Sequence, residues 1–330
     1  MTILRFGRAA ACLGVLALFA AGPARAQSDY PNRPVRIVSD SAAGSANDVT
    51  LRILAERLSA MWGQQVLTLN HPGAGGGISA TVASSAPPDG YTLYMPAASV
   101  FLARPGAPGV AANLPAELPR DFVPIGFATL QPMFIGMSHT LGISTLPELI
   151  ALAKDRPGQI SYAATGRGRL THLTMELLQS RAGIKLQLVP YTGGPAQAMN
   201  DVITGRVGLV IDGYASLAGV LQGGSIKGLA VAAPDRLPGF ESLPTVAETL
   251  PGFIAGGWQV IVAPVGTSDA IVRKVGADQR KVFAEPEVKA KYATLGAFVR
   301  PMSPAEVTAF TQSEQKTWRP VLEQVAQQSK

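Results

Sequence analysis

VRIVSDSAAGSANDVTLRILAERLSAMWGQQVLTLNHPGAGGG (35–77) places two β-rich runs on either side of a helix, each run followed by a loop of small residues. VRIVS (35–39) reads as a short strand. In NDVTLRILAERLSAMW, Leu51, Leu54, Leu58 and Met61–Trp62 recur every three or four residues, the spacing of one helix face. QQVLTLN (64–70) is a second strand; the glycine turn follows, and a helix is expected near 77–86. PPDG then turns the chain into YTLYMPA (91–97). Strand, helix, strand, helix, strand in that order indicates a mostly parallel sheet with helices on both faces.

A second series follows DFVPIGFATLQPMFIGMS (121–138). Thr145 and Glu148 form a capping box: the Thr oxygen accepts a free amide at the helix start and Glu148 reaches back. ELIALAKDRPG is the helix, and QISYAAT, LTHLTMELLQSRAG, KLQLVPYT, GPAQAMNDVITG, RVGLVIDGY and SIKGLAVAA continue the alternation. RLPGFESLPTVAETLPGF (236–253), with three prolines, reads as a long surface connection. WQVIVAP (258–264) returns to strand. Two or three helices close the chain, the last opening on a second capping box, Ser303 to Glu306, with Pro304 where its missing N–H costs nothing. Two series imply two α/β domains, with crossings near 127–132 and 254–260 and the C-terminal helices packed back on the first domain.

The N-terminus reads as an export signal. Arg5 and Arg8 precede the apolar run AAACLGVLALFAAG (9–22), and Ala24-Arg25-Ala26 supplies a small-x-small cleavage site, leaving Gln27 first. The run is shorter than the ~20 apolar residues of a membrane span. The one cysteine, Cys12, lies within it, so the mature chain has no thiol for disulfides, thiolate catalysis or metal binding. Removing Arg5, Arg8 and Arg25 lowers the formal charge from +6 to +3. No basic stripe is left to suggest a nucleic-acid partner.

The motifs of several chemistries are missing. Gly73, Gly75, Gly76 and Gly77 do not make G-x-G-x-x-G, because Ile78 takes the third glycine's place, and no acid ends the next strand. There is no G-K-S/T, no G-x-S-x-G elbow and no H-E-x-x-H. His71, His139 and His172 lack metal-ligand spacing and read as structural. No cofactor is expected. Four small-residue loops between strands and helix starts remain: DSAAGSAND (40–48), PGAGGG (72–77), ATGRGRLTH (164–172) and YTGGPA (191–196). In an open parallel sheet such loops gather beyond the strands' carboxyl ends, where ligands bind. Helix starts there carry unpaired amides and about half a positive charge, which suits anions. Taken singly, each loop needs its glycines only for a tight turn; together they point to binding.

With those loops in view, the sequence resembles the solute receptors of tripartite tricarboxylate transporters, the Bug family. The similarity runs through YPNRPVRIVS, NHPGAGGGISA, APPDGYTLYM, STLPELIALAKDRPGQISYAATG, VPYTGGPAQAMNDVITGRVGLVIDG, LPTVAETLPGF and WQVIVAPVGTS, nearly the whole mature chain. The resemblance implies a type II periplasmic-binding-protein fold: two α/β domains, crossed by hinge strands, closing on a small organic anion held in the cleft between them. It divides the mature chain into residues 27–129 with 258–330, and residues 130–257. It places one binding loop at Ser41, Ala42, Ala43, Gly44, Ser45 and Asn47, with Asp48 at the helix start. Thr165, Gly166, Gly168, Arg169 and His172 form the second, and Tyr191, Gly193 and Asp212 complete the cleft. Asp212 either orients a donor group of the ligand or caps a nearby turn.

Two stretches depart from the family pattern. Asp40-Ser-Ala-Ala-Gly-Ser45 stands where a Pro-Phe-x-Pro-Gly-Gly stretch is usual, which loosens the loop while Ser41 and Ser45 add hydroxyls. Arg167-Gly168-Arg169-Leu170 replaces Asn-Gly-Thr-Ser and removes a hydroxyl. Arg169 either forks onto a ligand carboxylate or is a solvated surface arginine, and Arg167 reads as surface. Pro264 and Gly266 are hinge neighbours or ordinary loop residues. The function implied is non-enzymatic: a monomeric periplasmic receptor that captures a carboxylate and passes it to membrane permease subunits. Its rivals are an exported sensor for a membrane signalling receptor and an exported enzyme acting on a carboxylated substrate.

Overall fold

The protein is described by a computed structural model covering residues 30–103, 110 and 112–328. The signal-peptide reading and Cys12 lie outside the described residues. In chain order the first part comprises β1 (Val35–Ser39), α1 (Ala46–Trp62), β2 (Val66–Asn70), α2 (Gly77–Ser84), β3 (Thr92–Tyr94) and α3 (Ala98–Leu102). A long strand, β4 (Phe122–Met137), follows. Then come α4 (Leu146–Asp155), β5 (Ser161–Ala164), α5 (Leu170–Ala182), β6 (Gln187–Pro190), α6 (Pro195–Ile203), β7 (Leu209–Gly213), α7 (Tyr214–Gln222) and β8 (Lys227–Val231). The chain ends with β9 (Gly256–Pro264), α8 (Asp269–Ala284), α9 (Pro286–Thr294) and α10 (Pro304–Gln328).

The strands run in the order β2-β1-β3-β9-β4-β7-β5-β6, with β8 also on β4. β1 pairs in parallel with β2 and β3, and β5 in parallel with β6 and β7, so each βαβ series makes the parallel unit its sequence implies. The junction differs. β4 runs antiparallel to β9 from Phe122 to Pro132, then antiparallel to β7 and β8 from Met133 onward. The sheet is therefore less parallel than expected, because β4 and β9 carry the chain between the two halves in opposite directions. Register shifts after Pro124 and Phe127 match the lost donor of Pro124, which a continuous ladder would require.

Three apolar clusters hold the halves. Val35, Ile37, Leu51, Leu54, Leu58, Ile261 and Val275 pack beneath α1 and α8, so the periodic leucines of α1 do face the core. Phe134, Met199, Val202, Tyr214 and Leu217 fill the far half. A larger cluster including Val38, Phe127, Leu173, Leu209 and Trp258 runs through both. Each such leucine, fully buried, contributes roughly 1.5–3 kcal/mol.

Three local expectations change. Glu148 reaches back past Thr145 to the amide of Ser144 (2.6 Å), while Thr145 Oγ1 caps Glu148 N–H as read. The 236–253 connection is not all surface: Val246 and Phe253 are buried, and Thr245 with Glu248 makes a full capping box. α10 does not keep to the first half; it touches α3 and α5, and Glu314 on it accepts the indole N–H of Trp258 (3.0 Å). The Ser303–Glu306 box opens that helix as expected.

Candidate ligand cleft

The ends of β1, β2, β3, β5, β6 and β7 converge on one cavity of about 380 Å³. Asp40 to Asn47 border it after β1, Pro72 to Gly76 after β2, and Ala97 to Ser99 after β3. From the other half come Thr165 to Thr171, Pro190 to Pro195, and Asp212 at the tip of β7. Gln131, Met133, Gly257 and Trp258, where β4 and β9 cross, make the floor. Ser45, Gly76, Arg169 and Gly194 precede the first residues of α1, α2, α5 and α6 and all line the cavity. Four helix starts thus aim their positive ends at one space, which favours a bound anion.

The turn after β1 is held from within. Asp48 lies buried behind it, accepting the amide of Gly44 (2.8 Å), the Arg52 guanidinium (2.9 Å) and the amide group of Asn70 (2.9 Å). Burial alone would raise its pKa, but those hydrogen bonds, Arg52's first, outweigh it and hold the carboxyl below the usual range. Ser45 Oγ accepts Asp48 N–H as the cap of α1, and Asn47 donates to Ser41 Oγ (3.1 Å). Side chains thus tie this turn from within.

Around the turn after β5, Gly168 N–H donates to His172 Nδ1 (3.1 Å), and Thr165 N–H and hydroxyl meet Thr171 Oγ1. Burial, with Arg167 adding to it, lowers the His172 pKa to about 4, so the ring stays neutral and its Nδ1 stays an acceptor. Gly166 and Gly168 have φ of 138° and 71°, conformations that side-chained residues rarely adopt. Arg169 is neither solvated nor free. Its Nη1 pairs with Asp40 of the opposite half, and its side chain is only 13 % exposed. Arg167 is exposed at the rim.

The glycine turn after β2 also serves this pair. Gly76 has φ 96°, and a Cβ there would come 2.5 Å from Val100 Cγ2 and 3.3 Å from Asp40 Oδ2. A glycine at 76 leaves room for the Asp40 carboxylate. The turn is a wall of the cleft.

Asp212 caps the turn after β7. It lines the cavity, and it accepts Gly213 N–H (2.8 Å) and a hydrogen bond from Ser216. Burial raises its pKa to about 6. Ser216 Oγ in turn accepts Ala46 N–H from the other half (2.7 Å), and a Cβ on Gly213 would stand 2.7 Å from Ala46 Cβ. The halves touch here. At the crossing, Gln131, Gln259 and Thr50, all buried, form one hydrogen-bonded group.

Of the residues named from sequence, Ser41, Ala42, Ser45, Asn47, Thr165, Gly166, Arg169, Tyr191 and Asp212 line the cavity. Ala43, Gly44, Asp48, Gly168, His172 and Gly193 do not; the contacts above make Asp48 and His172 supports for the turns. Sequence reasoning gave no site role to Asp40, Gln131, Met133 or Trp258. The last three belong to the crossing strands, whose apolar pattern reads only as core. Pro264 pairs with Phe122 at the end of β9 remote from the cavity-lining Gly257, so it and Gly266 sit away from the crossing. Among the described residues no group of His, Cys, Asp and Glu could hold a metal ion.

Residues 50–326 match the family described as tripartite tricarboxylate transporter family receptor. The protein BugT of Bordetella pertussis is 30 % identical over 318 residues, spanning 96 % of each chain. Among solved structures, R. palustris Rpa4515 with adipate shares 28 % identity with a TM-score of 0.84, over 90 % of this chain and 98 % of that one. MatC from Rhodopseudomonas palustris with bound malate shares 27 % with a TM-score of 0.79, over 89 % and 100 %. The type II periplasmic-binding-protein fold, two α/β domains about a ligand cleft, follows from these likenesses.

Proposed function

The chain belongs to the tripartite tricarboxylate transporter receptor family, and from that premise we propose that it captures a small organic acid in this cleft and delivers it to membrane permease subunits. The observation that carries the reading is the convergence of four helix starts from both halves on one cavity. An acid docks its carboxylate on the turn amides of one half, and the other half covers it by rotating about β4 and β9. Residues 27–129 with 258–330 act as one body and 130–257 as the other, with α10 reaching across to α5. Ligand contacts to both bodies supply the differential affinity that such a closure requires. The relatives with adipate and malate support a carboxylate. Ser41, Asn47, Thr165, Gly166, Tyr191 and Asp212 are the groups we assign to the ligand, with Arg169 beside them paired to Asp40. The receptor acts as a periplasmic monomer after cleavage behind Ala26.

A thermal-shift screen of residues 27–330 against mono-, di- and tricarboxylates, aromatic acids and amino acids tests this. A binding acid raises the melting temperature with the logarithm of its concentration over Kd. No shift with any acid at millimolar concentration would refute the reading, and chemical turnover of a bound acid would favour an enzyme.

A further inference from the structure

The cleft contains a carboxylate of its own. Asp40 lies at the end of β1 with its side chain fully covered; Oδ1 accepts the amide of Ala97 (2.8 Å) and Oδ2 pairs with Arg169 from the opposite half. A backbone amide on one oxygen and a guanidinium on the other is the reception a ligand carboxylate would receive. Gly76 makes room for it, since any Cβ there would crowd Oδ2.

We propose that Asp40 is an internal carboxylate that fills a second anion position of the cleft, so that the receptor takes monocarboxylates with an uncharged, largely apolar body and discriminates against dicarboxylates. The inference rests on the receptor reading and narrows its ligand class. Within the cavity the charge of Arg169 is already matched by Asp40, and the remaining interior charged group, Asp212, is an acid. Arg167 is exposed, at the rim of the cavity. The helix starts can hold one carboxylate. A second would face Asp40 or Asp212 across a cavity whose lining includes the apolar side chains of Met133, Leu170 and Trp258, and like charges there cost more than in water. Those apolar walls suit an uncharged hydrocarbon or aromatic body.

Calorimetry on residues 27–330 with length-matched pairs tests it: straight-chain monoacids against α,ω-diacids from three to eight carbons, and benzoate against terephthalate. The tightest monoacid is expected to bind at least ten-fold more tightly than its matched diacid. Asp40→Asn keeps the shape but frees Arg169, and is expected to shrink that preference at least ten-fold, chiefly by strengthening the diacid. Asp40→Asn/Arg169→Gln, which removes both charges, is expected to bind diacids no better than the native chain. A diacid that binds the native chain as tightly as its monoacid would overturn the inference while leaving the carboxylate receptor standing. An equal effect of Asp40→Asn on both acids would do the same. Silence across both series would take down the receptor reading and this inference together.

Discussion

The turns after β1 and β5 face each other across the cleft and solve one problem in two ways. Both border the cavity and are rich in small residues. The first is anchored by a charge: Asp48 gathers Gly44, Arg52 and Asn70, and Ser45 caps the helix. The second is anchored by a neutral ring: His172 accepts Gly168 N–H, and two glycines take left-handed conformations. A charged anchor fails only when its carboxylate is protonated. The imidazole fails earlier, because protonation removes the lone pair that Gly168 uses.

Substitution separates the two anchors. Asp48→Ala strands a buried amide and half of an ion pair, and is expected to cost about 3 kcal/mol in chemical denaturation. A loss under 1 kcal/mol would show the first turn to be self-supporting. His172→Leu leaves one amide without its acceptor and is expected to cost about 2 kcal/mol. It is also expected to flatten the pH dependence of stability between about 6.5 and 4. The sign follows from the lowered pKa: the native ring contributes fully above about 6.5, and the contribution is lost as pH falls through about 4, worth up to roughly 3 kcal/mol. Identical acid profiles for the native and leucine forms would erase the difference between the turns.

Two smaller effects probe where the halves meet. Gly213→Ala places a methyl against Ala46 and is expected to weaken binding of the best acid about ten-fold, or about 1.4 kcal/mol, by calorimetry. Unchanged affinity would mean that closure does not bring these residues together. Asp212→Asn is expected to stabilise the ligand-free protein by about 1 kcal/mol at pH 7, since burial disfavours the charged acid. With a native pKa near 6 against 3.8 unfolded, that acid's penalty disappears as pH falls, so melting curves of the two forms should converge toward pH 4.

Much of the architecture was legible because it depends on local pattern. Leu51, Leu54 and Leu58 mark a helix face, VRIVS and QISYAAT mark strands, and the glycine-bearing loops fall where strands hand over to helices. What stayed hidden depends on partners far apart in sequence. An acid at a helix start looks the same whether it meets a ligand or, like Asp48, holds the turn behind it. Asp40 and Arg169 belong to different series, and nothing local ties one to the other. The direction of β4 was obscured because its apolar run fits a strand of either sense. α7 was passed over because YASLAGVLQ, with Ala215, Ser216, Ala218 and Gly219, carries little apolar periodicity.

The convergence of both turns on one acid is tested most directly by amide hydrogen exchange of residues 27–330, with and without a saturating amount of the tightest acid from the thermal screen. Slowed exchange is expected at residues 41–47 and 165–169 together, with α4 and the 236–253 connection unchanged. Protection of one turn alone, or of neither while the acid binds, would place the ligand elsewhere and contradict the shared cleft.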